Sequence, residues 1–228
     1  MANRRLYLFD IDGTLISSGG AGGKAMRAAF AALWEREREG FSNIEFSGRS
    51  DYAIFRSALT QSNNHAEERF EADLRRFRRA YYRRLPQSLV ANTGVVLPGV
   101  FELLDRLKQD PEATLAVGTG NFKAGARMKL KHYGLYDYFV AGGYGDRTED
   151  RAELIADGIR AATRLRGPHD VMLVIGDTVH DITSAKANGA IAVGVLTGTT
   201  AQKPLEDAGA DLILPNLVDA YEMLTRLD

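Results

Sequence analysis

Leu6-Tyr7-Leu8-Phe9-Asp10-Ile11-Asp12-Gly13-Thr14-Leu15 is the stretch on which the reading of this 228-residue chain turns. Four successive apolar residues, with no polar alternation, suit a strand buried on both faces, as in a parallel sheet. The run ends in Asp10, and a carboxylate at the C-terminal end of such a strand points into the crevice where open α/β sheets bind ligands. Asp12 lies two positions on, so the two acids can share a hard cation. Gly13 permits a tight turn, and Thr14 adds a hydroxyl and a backbone N–H. An isolated Asp-x-Asp is more often a solvated turn; the whole hexapeptide at the end of an apolar strand argues for chemistry.

Working outward, further short apolar runs follow at Leu115 to Val117, Tyr138 to Ala141, Val171 to Ile175, Ile191 to Val195 and Leu212 to Leu214. Helical candidates separate them. Val100, Leu103, Leu104 and Leu107 share one face of a segment that Pro111 follows. Lys123 to Tyr133 stops at Gly134, and Thr183 to Ala187 stops at Asn188-Gly189, both good C-terminal signals. This alternation predicts an α/β, Rossmann-like open parallel sheet with right-handed crossovers. One interruption stands out. Residues 17–95 contain no convincing strand, are entered through Gly19, Gly20, Gly22 and Gly23, and are left through Asn92-Thr93-Gly94 and Pro98-Gly99. The expectation is an α/β core of residues 1–16 and 96–228 carrying an inserted helical cap of residues 17–95.

Three more constellations sit at strand ends. Val117-Gly118-Thr119-Gly120-Asn121 closes a strand before a helix, where a hydroxyl and successive backbone N–H groups make an anion site. Gly176-Asp177-Thr178-Val179-His180-Asp181 places two acids four residues apart at a helix start, so both can lie on one edge. Between them, Asp146-Arg147-Thr148-Glu149-Asp150-Arg151 supplies a cation before a helix-like stretch.

Taken in order, these four motifs resemble those of the haloacid dehalogenase-like hydrolase superfamily. The resemblance implies that Asp10 is a nucleophile forming a phosphoaspartyl intermediate and that Asp12 is the general acid/base. A carboxylate needs no base to attack a phosphoryl group, whereas Asp12 would need a partly raised pKa to deliver a proton near pH 7. By the same resemblance Thr119, with the Gly120 and Asn121 backbones, contacts phosphoryl oxygens. Asp177 binds Mg²⁺ directly, and Asp181 binds it through water or holds the third motif's cation. Asp10, the Asp12 carbonyl and Asp177 form an oxygen-only set that suits Mg²⁺. The chain departs from the family at that third motif, which usually carries lysine; Arg151 stands there, 26 residues before Asp177, with Lys123 as the competing cation.

The insertion resembles the helical cap of the phosphoglycolate phosphatase-like branch. Phe46-Ser47-Gly48-Arg49-Ser50-Asp51 is similar to a Gly-Arg-Thr-Asp loop of that branch, so Arg49 is expected to reach the substrate's distal group. The implied activity is Mg²⁺-dependent hydrolysis of a small phosphorylated metabolite. A sugar phosphomutase is the alternative within the superfamily, and a nucleic-acid-binding or regulatory protein on this scaffold is the alternative from another class. A haloacid dehalogenase fits less well, having no use for Asp12 and a three-carboxylate metal site.

Composition bounds these readings. At 45% hydrophobic and 26% charged, with no cysteine, the chain is an ordinary globular protein without disulfides or thiolate metal sites. A net charge of −1 argues against whole-surface binding to nucleic acid or anionic membrane. It averages two unlike parts: residues 17–95 hold 13 basic and 9 acidic side chains, the remainder 16 and 21. Seven arginines crowd Glu67 to Arg84, but Phe70, Leu74, Phe77 and Tyr81 form a helical apolar stripe that leaves them on a solvated face. His65, His132, His169 and His180 have no metal-site spacing, and Trp34 is expected in the cap's core. With no apolar run of about 20 residues and too short an apolar start for a signal peptide, the expectation is a cytoplasmic monomer or homodimer.

Overall fold

In the computed structural model, residues 3–34, 41, 43–62 and 67–228 are described. His65 falls outside them. Six strands form one parallel sheet: β1 (Arg5–Phe9), β4 (Ala113–Thr119), β5 (Ala141–Tyr144), β6 (Val171–Gly176), β7 (Ile191–Val195) and β8 (Leu212–Leu214), in the order β5-β4-β1-β6-β7-β8. The apolar runs are continuous because each strand is covered twice. Tyr7, Phe9, Val117, Ile175 and Val193 join α4 (Val100–Gln109), α5 (Lys123–His132) and α9 (Ala220–Thr225) on one face. Leu6, Leu8, Ala116, Val174 and Ala192 join α6 (Arg151–Arg166), α7 (Val179–Ala187) and α8 (Gln202–Asp207) on the other. The period of two along each strand thus feeds two separate apolar layers.

Register decides where the chemistry falls. Phe9 pairs with Val117 on one side and Ile175 on the other, so the chain leaves β1, β4 and β6 at the same edge. Asp10, Thr119 and Asp177 therefore arrive together at the carboxyl end of the sheet's centre.

One strand differs from the sequence reading. The expected run at Tyr138 to Ala141 is a 3₁₀ turn (Tyr136–Tyr138) followed by β5 at Ala141–Tyr144. Gly142 and Gly143, beyond the apolar run, are part of the strand itself. A Cβ on Gly143 would collide with the Leu154 carbonyl of α6, so only glycine lets that helix sit directly on the strand.

Between β1 and β4 the chain runs through α1 (Ala21–Trp34), α2 (Asp51–Gln61), a 3₁₀ turn (Glu67–Arg69) and α3 (Phe70–Ala91). These helices have their own apolar centre, including Met26, Phe30, Ile54, Phe55, Leu74, Phe77 and Leu85. Trp34 packs at its margin, its ring 4.7 Å from Phe30. The stripe Phe70, Leu74, Phe77 and Tyr81 is buried as its spacing predicts. The two chain passages at the ends of this segment pair as β2 (Ile16–Ser17) and β3 (Val95–Val96), a two-residue antiparallel ladder. Among the described residues no helix is long and apolar enough to cross a membrane.

Candidate active site

The centre of the site is a chain of carboxylates held by one guanidinium. Asp10 is only 6% exposed, and Arg151, 8% exposed, meets its Oδ1 at 2.9 Å. The same Arg151 NH2 lies 2.5 Å from Asp181 Oδ1, to which Nε donates at 3.0 Å. Asp150 caps α6 by accepting the Ala152 N–H at 2.8 Å, which fixes Arg151 at the helix's first position. Asp181 is fully buried, and its second oxygen accepts the Thr178 N–H at 3.0 Å and hydroxyl at 2.7 Å, a capping box on α7. Both Asp181 oxygens are therefore engaged. Of the two roles expected for it, holding the arginine is the one the geometry matches.

Lys123 stands elsewhere. Its Nζ sits over the Tyr144 ring, 5.6 Å from the centroid, and the residue is not among those lining the cavity around Asp10.

Asp177 follows β6 and accepts the Thr14 hydroxyl at 3.3 Å. Gly13, at φ 87°, and Gly198 close over it. A Cβ on Gly13 would lie 2.5 Å from an Asp177 oxygen, and one on Gly198 would overlap the carboxylate. Carboxylate oxygens of Asp10, Asp177 and Asp181 lie within 4.8 Å of one another. Burial pushes Asp10 up to about 6; the neighbouring Asp181 and Asp12 add to this, and Arg151 opposes it. Burial, then the charges of Asp10 and Asp181, push Asp177 up to about 8. A crowded, oxygen-only, under-neutralised set of this kind fits a hard dication such as Mg²⁺.

Asp12 faces a different neighbourhood. Lys129 Nζ lies 2.5 Å from its Oδ2, Asn121 Nδ2 donates to the same oxygen at 2.8 Å, and the Ser18 hydroxyl donates to Oδ1 at 3.3 Å. Lys129 also donates to Asn121 Oδ1 at 2.6 Å. The expectation of a raised Asp12 pKa is reversed here. Burial alone would raise it, but the Lys129 charge and the three donors outweigh burial and hold it below the ordinary carboxylate value. Its side chain is thus committed to Lys129, and only its backbone carbonyl is left to face a cation at Asp10.

Lys129 is the residue of this cluster that sequence reasoning missed. A signal was present: the buried face of α5 is Gly125, Ala126, Lys129 and Leu130, so helical spacing alone puts a lysine on the apolar stripe.

Thr119 is fully buried, and its hydroxyl oxygen accepts Asn121 Nδ2 at 2.8 Å. With that lone pair taken, its O–H is oriented to donate elsewhere. The Asn121 N–H turns back to Thr119 Oγ1 at 3.3 Å, so Asn121 braces Thr119 and Asp12 instead of offering its amide. Arg49 departs from expectation. Its guanidinium donates to Ser57 Oγ at 2.9 Å and Ala53 O at 3.4 Å, along the helix α2 that follows it, and does not extend as a free anion binder.

What the 46–51 loop does instead is dock. The Asp51 N–H donates to Gly120 O at 2.7 Å, and Asp51 Oδ2 accepts the Phe122 N–H at 2.8 Å. Ser50 Oγ donates to Thr148 O at 2.8 Å, and Ser47 Oγ lies 3.3 Å from Thr199 Oγ1. Gly120 has to be glycine, since a Cβ there would lie 2.5 Å from the Arg49 carbonyl. His180 packs against Gly48 and is not among the residues lining the cavity around Asp10. That cavity measures about 560 Å³ and is shared by Asp10, Thr119 and Arg151 below and by Gly22, Arg27 and Phe46 above.

These carboxylates, their cations and the buried Thr119 hydroxyl gather in one cleft at the carboxyl edge of the α/β sheet. The haloacid dehalogenase-like hydrolase family matches residues 5–189, and the chain belongs to it. It is 29% identical to "Probable phosphatase IndB" of Dickeya dadantii over 97% of this chain and 95% of that one. It is 27% identical to a phosphoglycolate phosphatase of Vibrio parahaemolyticus, covering 96% of each. A structure described as a predicted phosphoglycolate phosphatase from Haemophilus somnus superposes with a TM-score of 0.69 at 20% identity, over 98% of this chain and 99% of that one.

Proposed function

We propose that this hydrolase is a phosphatase that removes the phosphoryl group from a small organic phosphomonoester through an aspartyl phosphate on Asp10. The observation that carries the reading is the Asp10–Arg151 pair at the end of β1, 2.9 Å apart, beside a crowded carboxylate pair and a buried threonine hydroxyl. The family membership and the names of the curated relatives support it.

Asp10 is the attacking group: an Asp10 oxygen forms the bond to phosphorus as the ester oxygen departs. Arg151 holds that carboxylate in place and lies beside the position of the equatorial phosphoryl oxygens, with the Thr119 O–H as a second donor. Asp12, ionised against Lys129, is set to take a proton from the water that opens the aspartyl phosphate. On the way in, it passes to the leaving oxygen the proton it holds in the minority state. Asp10 and Asp177, with the Asp12 carbonyl, would hold Mg²⁺, which supplies charge neutralisation between the anionic nucleophile and the phosphoryl group. The helical layer of residues 17–95 acts as a cap, docking through Ser47, Ser50 and Asp51 to exclude water.

The test is phosphate release from a panel of small phosphomonoesters with and without Mg²⁺, by the wild type and Asp10→Asn. Release that requires the metal and falls by about 10³ or more in the variant is expected. Metal-independent release or an unaffected variant overturns the mechanism, and sugar-phosphate interconversion without release makes the chain a mutase.

A further inference from the structure

Four cationic side chains line the cavity that holds Asp10: Arg27, Arg49, Lys129 and Arg151. Three are engaged. Arg151 is neutralised by Asp10 and Asp181, Lys129 by Asp12, and Arg49 is bonded to Ser57 and the Ala53 carbonyl. Arg27 differs. Among the described residues it has no acidic partner and no hydrogen bond; its guanidinium lies over the faces of Phe46, at 4.8 Å, and Phe41, at 5.9 Å. A guanidinium stacked on aromatic rings is oriented in a plane, and its N–H edge stays available for an anion.

The surroundings favour a ligand there. Arg27 sits about two turns into α1 and lines the wall of the cavity that holds Asp10. Gly20, Gly22, Gly23 and Met26 give that wall its shape. The first turn of α1 carries no acid, so the positive end of the helix is uncompensated on the same wall. Tyr81, fully buried, also lines the cavity, and its hydroxyl has no hydrogen-bond partner among the described residues. A wall with an unpaired cation and a bare helix start suits a second negative group.

We propose that Arg27 is the specificity-determining residue of this site and binds an anionic group at the end of the substrate remote from the phosphoryl being transferred. The substrate class is then small phosphomonoesters with a second anionic terminus, a carboxylate or another phosphate. This rests on the phosphatase reading above.

The experiment compares kcat/KM for three esters of matched length, ending in a carboxylate, a second phosphate or a neutral alcohol. The enzymes are the wild type, Arg27→Ala and Arg27→Lys, each with Mg²⁺ and each checked for folding by thermal melting. Binding of the matching non-hydrolysable phosphonates is measured by calorimetry in parallel. The wild type is expected to favour one anionic ester over the neutral one by about tenfold or more. Arg27→Ala is expected to lower that preference by about tenfold or more through KM, with Arg27→Lys retaining part of it. Which anionic ester loses its advantage identifies carboxylate or phosphate. A preference unchanged in Arg27→Ala, or a wild type indifferent to the second charge, overturns the proposal while leaving the phosphatase reading intact. If no ester is hydrolysed, the phosphatase reading fails, and equal phosphonate binding by wild type and variants then overturns the role of Arg27 as well. Should Arg27→Ala not fold, Arg27→Lys carries the same comparison.

Discussion

Lys129 Nζ sits 2.5 Å from Asp12 Oδ2, so the site's second aspartate is paired with a lysine, and its first, Asp10, with an arginine from a different helix. The two carboxylates are two residues apart in sequence, yet their environments push them in opposite directions. Asp10 is raised to about 6 by burial, which its like-charged neighbours reinforce. Asp12 is lowered, the Lys129 charge and its donors overcoming burial. Separation of this kind assigns different work to chemically identical groups.

Replacing Lys129 with methionine is therefore expected to do more than lower the rate. Asp12 loses its counter-charge, so its pKa rises and the acidic limb of aspartyl phosphate hydrolysis, the step that needs Asp12 ionised, moves to higher pH. The rate at pH 7 falls by about 10², and stability drops by about 1–3 kcal/mol because Asn121 and Asp12 lose a shared donor. A pH–rate profile alongside urea melts measures both. A profile that keeps its acidic limb rules out the pairing as the cause.

Gly198→Ala tests the carboxylate crevice from the other side. Its Cβ would fall on Asp177, forcing that side chain off the position where it faces Asp10. The expected outcome is Mg²⁺ half-saturation raised by about tenfold or more with the melting temperature within a few degrees. Magnesium titrations of activity and of melting temperature read it. Unchanged half-saturation would exclude Asp177 from the metal set.

Cation binding should also release protons. With Asp177 near 8 and Asp10 near 6, the metal-free site at pH 7 carries on the order of one proton that a dication must displace. Mg²⁺ affinity is then expected to rise by about a hundredfold between pH 6 and pH 8. Calorimetry in two buffers of different ionisation enthalpy should report the released proton. PH-independent affinity with no buffer dependence contradicts this.

Asp51 gives a stability prediction. Burial raises its pKa from the ordinary value to about 7 in the folded chain. Between pH 4 and 7 the folded state therefore binds a proton the unfolded state has lost. This contribution is complete below about 4 and disappears as pH rises through 7, at on the order of 1 kcal/mol per pH unit. Asp51→Asn keeps an acceptor for the Phe122 N–H and removes the titration. Its stability should decline less steeply than the wild type's over that window, as urea unfolding at several pH values would record.

Most of the sheet was legible because unbroken apolar runs have few other uses, and Asp10, Thr119 and Asp177 each close such a run. Register then brings them together without any further signal. Arg151 was legible as the cation that Asp181 could hold, and the structure adds that the same guanidinium reaches Asp10. Arg49 misled because a loop motif carries no information on which way its side chain turns, and the α2 backbone offered a nearer acceptor. Lys129 hid in a helix that also carries Lys123, Arg127 and Lys131, where only the burial pattern separates the inward lysine from the wet ones. Strand β5 hid because its glycines serve helix contact and not flexibility.

The docking of Asp51 onto Gly120 and Phe122 ties the entrance of α2 to the loop that carries Thr119. An arrangement that keeps stray water from an acyl phosphate also detains whatever is left inside. On the cap reading proposed above, opening for release parts both of these hydrogen bonds. On that reading release and phosphoryl positioning are joined through one peptide, because the seam opens at Gly120, the residue next to Thr119.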